Sequence, residues 1–159
     1  MTRVPIPAPP YEGGCLCGAV HYRLDARPKA VNACHCLDCK KLSGGTHIHM
    51  LVAERSAFSH NGALLTRFCK HADSGRRIDI IRCAACGVRL WHEPRSNPEL
   101  VFIAAGTLDD PSWITPTSHI WTRSAAPGIL LHEDALHCEA QPETRQMLFD
   151  SFTRIYGPE

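Results

Sequence analysis

A chain of 159 residues with 17 basic and 16 acidic side chains carries a formal charge of +1 when its histidines are neutral. That balance excludes a strongly basic nucleic-acid surface and a polybasic membrane patch. With 44% hydrophobic and 21% charged residues, the chain also falls outside the disordered class.

The first ten residues hold four prolines and predict an extended arm over residues 1–12, with one domain over 13–159. Val20, Tyr22 and Leu24 alternate with Ala19, His21 and Arg23, the period of a half-buried strand. Ile48, Met50 and Val52 repeat that pattern after Gly44-Gly45. Asn61-Gly62 between Phe58 and Leu64-Leu65 predicts a hairpin. Ile78, Ile80 and Ile81 precede a cysteine turn, after which Val88 and Leu90 alternate into Trp91. Leu100 to Ala105 reads as a buried strand closed by Gly106. Only the end predicts a helix: Leu148, Phe152 and Ile155 share one face, and Pro142 suits a first helical position. These elements predict a mostly β, mostly antiparallel domain with a C-terminal helix.

Nine cysteines, an odd number, cannot all pair internally, and ten histidines accompany them. The opening MTRVPIPAPPYEGG lacks the charged-then-apolar pattern of a secretory signal, and no apolar run approaches the ~18 residues of a membrane span. A cytoplasmic setting is therefore expected, where thiols stay reduced and clustered cysteines hold metal.

Seven cysteines fall in three groups: Cys15/Cys17, Cys34/Cys36/Cys39 and Cys83/Cys86. In Cys83-Ala84-Ala85-Cys86-Gly87 the two thiolates converge on one ion, and Gly87 permits the turn. One such turn supplies two ligands where structural zinc takes four, and Cys15-Leu16-Cys17-Gly18 is the natural partner. Such a site is worth on the order of 10 kcal/mol of folding free energy. Cys34, Cys36 and Cys39 differ, because three protein ligands with an open fourth position characterise a catalytic zinc. Closed alternatives remain, with His35 or Cys69 completing a second structural site, or an iron–sulfur cluster. If the segment is extended, Cys34 and Cys36 force His35 to point away.

The segments GGCLCGAVHYRL, ACHCLDCKKLSGG, HADSGRRIDIIRCAACGVRL, AAGTLDDP and HIWTRSAAP together resemble the glutathione-dependent formaldehyde-activating enzyme / centromere protein V family, from about Gly13 to Leu130. The resemblance implies a β-tent of small antiparallel sheets organised around zinc. It implies two Zn(2+) per chain: a structural zinc on Cys15, Cys17, Cys83 and Cys86, and a catalytic zinc on Cys34, Cys36 and Cys39. The implied activity is condensation of formaldehyde with glutathione, a carbon–sulfur lyase reaction in reverse. Gly128 departs from the family pattern, which has a tryptophan there.

The leading expectation is thus a zinc-dependent carbon–sulfur lyase-type enzyme acting on a small thiol–aldehyde adduct, with a small thiol such as glutathione or another small molecule as partner. The rivals are a hydrolase or isomerase using metal-activated water, and a non-enzymatic zinc-stabilised interaction module. Neither nucleic acid nor membrane is expected as a partner, and a homodimer is left open. His119 and Trp121 alternate in Ser118-His119-Ile120-Trp121, and His119 is the candidate for moving protons near the second zinc. Plainer readings cover the rest. His47 and His49 read as surface, and His71, Asp73, Ser74 and Gly75 as a solvated turn. Arg67, Arg76, Arg77, Arg82 and Arg89 read as scattered surface charge, and Cys69 and Cys138 as single cysteines.

Overall fold

The computed structural model describes residues 5–62, 64–72 and 75–158. The first half of the chain forms β1 (Tyr11–Gly14), β2 (His21–Leu24), β3 (Ala30–Cys34), α1 (Leu37–Ser43), β4 (Ile48–Glu54) and β5 (Phe58–His60). There follow β6 (Leu65–His71), β7 (Arg77–Cys83), β8 (Arg89–Pro94), β9 (Leu100–Ala104), β10 (Ser118–Ile120), β11 (Leu136–Cys138) and α2 (Gln146–Tyr156). The protein is mostly β, as the alternating apolar pattern predicts. Strand pairing starts at Tyr11, two residues before the expected start of the domain. No helix among the described residues is long and apolar enough to cross a membrane.

The chain divides into two compact units, one of residues 8–28 and 52–112, the other of residues 29–51 and 113–158 with the start of the chain. In the first unit, β1, β2 and β5 form a three-stranded antiparallel sheet, while β6, β7, β8 and β9 pair antiparallel in chain order. Val20, Tyr22 and Leu24 are buried while His21 and Arg23 face solvent, so the period-two reading of this segment holds. Tyr22, Phe58 and Trp91 pack as an aromatic cluster with ring centroids 5.1–6.3 Å apart. The Asn61-Gly62 hairpin does not form. β5 pairs with β2 and β6 with β7, because the Asn61 amide is spent on β2: its Oδ1 accepts from the His21 N–H, and its Nδ2 donates to the Ala19 carbonyl.

Of the arginines read as scattered charge, Arg67 is engaged with a buried carboxylate. Asp79, 3% exposed, receives two hydrogen bonds from Arg95 and one at 2.7 Å from Arg67, which also meets Glu93 at 3.0 Å. These guanidiniums, Arg95 first, hold the Asp79 carboxyl below the usual carboxylate range. A carboxylate so depressed contributes stability at all pH values above its unfolded-state pKa and loses it as pH falls through the folded value. Asp79→Asn is expected to cost about 1–3 kcal/mol near neutrality. The gap in thermal midpoint between variant and parent should close in strong acid, read by unfolding the two in parallel.

In the second unit the strand order is β11-β10-β3-β4. β10 lies parallel to both β3 and β11, which departs from the antiparallel expectation. Parallel neighbours need long connections, and here Ser118 faces Asn32 across 86 residues of chain, beyond the reach of any local turn signal. α2 packs on β3, β10 and β11 through the buried Leu148, Phe152 and Ile155, the face expected from the sequence. It starts at Gln146 rather than at Pro142. Its Ser151 Oγ donates to the Thr117 carbonyl at 2.6 Å, and its Tyr156 hydroxyl accepts from the Thr115 N–H at 2.7 Å. The proposed turn at His71–Gly75 is described only in part, since Asp73 and Ser74 lie outside the described residues.

Candidate metal centres

Two turns of the first unit bring Cys15, Cys17, Cys83 and Cys86 together, all four sulfurs lying within 4.8 Å of one another. The turns repeat one backbone design. The Cys15 N–H donates to the Val20 carbonyl at 3.0 Å and the Cys83 N–H to the Val88 carbonyl at 2.9 Å. In each a glycine closes the bend at positive φ, Gly18 at 76° and Gly87 at 75°, a region closed to most side chains. The sulfur pairs Cys15–Cys17 and Cys17–Cys83 lie 3.5 and 3.7 Å apart. Four thiolates on one zinc at ~2.3 Å would stand roughly 3.8 Å apart, so the donor set fits a tetrahedral ion. The backbone N–H groups of Val88 and then Cys17 bring the Cys86 thiol down to about 6, which favours the thiolate that a metal ligand requires.

The second unit holds the other cluster, Cys34, Cys36 and Cys39, again with sulfurs mutually within 4.8 Å. Cys34 ends β3, and Cys36 caps α1, its Sγ accepting from the Cys39 N–H at 3.3 Å. α1 went unread in the sequence because seven residues are too few to show a hydrophobic period. Its end signals are nonetheless present: Asp38 in the first turn, Lys40 and Lys41 in the last, and Gly44 after them. Crowding raises two of these thiols. The Cys36 sulfur pushes Cys34 up to about 12, and Cys34 and Cys36 push Cys39 up as well. Three thiolates at this spacing repel unless a cation joins them, which is the chemistry of a metal-binding set.

The remaining candidates sort themselves around this cluster. Cys69 and Cys138 join neither group of sulfurs, and His35 is not among the three ligands. His35 is instead fully buried, its Nε2 3.0 Å from the Nδ1 of His119. His119 is 3% exposed, and its Nε2 accepts from the His132 N–H at 3.1 Å, so both ring nitrogens are engaged. Burial, and then His35, keep it neutral down to about 4. His119 therefore occupies a closed position, hydrogen-bonded at both ring nitrogens. His47 and His49, read as surface, are half-buried with their Nε2 atoms 3.1 Å apart. Trp121 has φ 59°, the single non-glycine residue of positive φ among those described, and Arg123 lies over its ring at 4.7 Å. Lys40 Nζ bonds the Ser124 carbonyl, fastening this loop to α1.

Among the described residues this mostly β fold carries one four-sulfur and one three-sulfur cluster, each able to hold a metal ion. The family model of the glutathione-dependent formaldehyde-activating enzyme matches residues 10–124, and the chain belongs to that family. A Halomonas elongata protein, provisionally described by the same name, is 33% identical over 102 residues, covering 62% of this chain and 65% of its own. An uncharacterized lyase of Schizosaccharomyces pombe is 27% identical over 97 residues, covering 61% of this chain and 67% of its own. A crystal structure of a Rhodobacter sphaeroides protein shares the fold at a TM-score of 0.51 and 22% identity, over 66% of this chain and 91% of that one.

Proposed function

We propose that the chain is a zinc-dependent carbon–sulfur lyase-type enzyme acting on a small thiol–aldehyde adduct, glutathione being the thiol that the family description supplies. Cys34, Cys36 and Cys39 would hold the catalytic zinc, and Cys15, Cys17, Cys83 and Cys86 a structural one, two ions per chain. The observation that carries this reading is the three-sulfur cluster, for which no fourth histidine, cysteine or carboxylate ligand stands ready among the described residues. Zinc bound there would supply a Lewis acid that keeps a thiol sulfur deprotonated at neutral pH.

The reaction is an addition. The sulfur lone pair forms a bond to the aldehyde carbon, the carbonyl π pair moves to oxygen, and the thiol proton ends on that oxygen. The chain's own residues supply position. Cys34 and Cys39 lie at 8% exposure, whereas Cys36 is half-buried, so approach is from the Cys36 side. Arg123, exposed on the loop that Lys40 ties to α1, offers a guanidinium suited to a carboxylate-bearing thiol.

Cobalt substitution tests the reading. A chain loaded with two cobalt ions should change its visible spectrum on addition of glutathione in a way that accounts for one ion and spares the other. A spectrum indifferent to glutathione and to other small thiols would discard the thiol chemistry.

A further inference from the structure

Successive side chains of an extended backbone point to opposite faces, so His35, the residue after β3, follows the Ala33 face and not that of Cys34. Ala33 stands opposite His119 in the parallel pairing of β3 with β10. The two imidazoles lie end to end there, at a centroid distance of 5.3 Å and an interplanar angle of 26°.

Their protons follow from the amide at the end of the series. The His132 N–H is an amide and can only donate, so His119 Nε2 carries no proton. Neutral His119 is then protonated on Nδ1, which donates to His35 Nε2 at 3.0 Å. Neutral His35 is in turn protonated on Nδ1, a buried nitrogen without a protein partner. The His35 ring therefore takes its one directional bond from His119. An amide proton does not ionise at neutral pH, so the series ends at His132 and passes no proton along. It is a strut, not a relay. The His35 backbone N–H donates to the Ile120 carbonyl at 3.0 Å, giving the same residue a second attachment to β10.

We propose that His119 is a positioning residue for the three-cysteine centre: by gripping the His35 ring, it fixes the short backbone arc that aims the sulfurs of Cys34 and Cys36 at a common point. This rests on the reading of that cluster as a metal site. Groups that orient a metal set from behind typically change affinity 10–100-fold when removed.

The test is zinc affinity of the full chain by chelator competition, with His119→Leu, which lacks the donor, and His119→Asn, whose side-chain N–H can occupy the place of Nδ1–H. The expected result is a 10–100-fold weaker second ion in H119L, an unchanged first ion, and recovery of most of the affinity in H119N. Nitrogen-15 spectra of the parent should show both His119 and His35 protonated on Nδ1. Equal second-ion affinity in H119L and parent overturns the proposal, as does a parent His35 protonated on Nε2. Should H119L not fold, H119N and the parent spectrum decide, and an H119N chain that loses the second ion is also an overturning result. A parent chain that takes up one ion overturns the metal reading of the cluster itself, and the role of His119 with it.

Discussion

Serine in place of Cys83 is expected to leave most of the chain unfolded at physiological temperature. Cys83 is 1% exposed, ends β7, and carries one of four sulfurs that tie the Cys15 turn to the Cys83 turn. Structural zinc contributes about 10–16 kcal/mol in small zinc-finger peptides. Whole domains have a net stability of only about 5–15 kcal/mol. The first figure is therefore as large as the whole margin. Circular dichroism and metal content of the purified variant check this, and stripping the parent with a strong chelator should reproduce the same spectrum. A C83S chain that melts close to the parent would show that the four-cysteine centre is not what holds this unit together.

Serine in place of Cys36 should do the opposite, sparing the fold and removing the activity. The Cys36 sulfur accepts the Cys39 N–H as the cap of α1, and a serine hydroxyl serves that role well. What serine cannot replace is a soft thiolate ligand. The thermal midpoint should stay near that of the parent, while bound zinc falls from two ions to one. Metal-assisted charge stabilisation is worth several kcal/mol, so turnover of thiol and aldehyde should fall by about 10²–10³-fold. Retention of both ions, or of full turnover, would remove Cys36 from the site. The pair of variants separates the two centres by their effects: one on folding, one on chemistry.

The cysteines were legible because their spacing is the chemistry. Two thiolates with two residues between them and a following glycine can close on one ion, and the Cys83–Gly87 turn has that geometry. The antiparallel strand at Val20, Tyr22 and Leu24 was legible from alternation, since burial on one face imposes period two. The parallel register of β3 with β10 was not, because Asn32 and Ser118 are brought together by the tertiary fold alone. The grip of His119 on His35 was hidden for the same reason. The sequence does place the His35 ring away from the neighbouring sulfurs, but not against what. Asn61-Gly62 misled for a specific reason: its amide bonds satisfy β2 instead of closing a hairpin onto β6.

The two cysteine turns are not equally sheltered. Cys83 is interior, whereas Cys17 is exposed and its neighbour Leu16 is 89% exposed. An ion held by the four sulfurs is thus approachable through the Cys17 flank while every strand is still in place. A scavenging ligand in the surroundings would compete for such an ion there directly, without the core having to open.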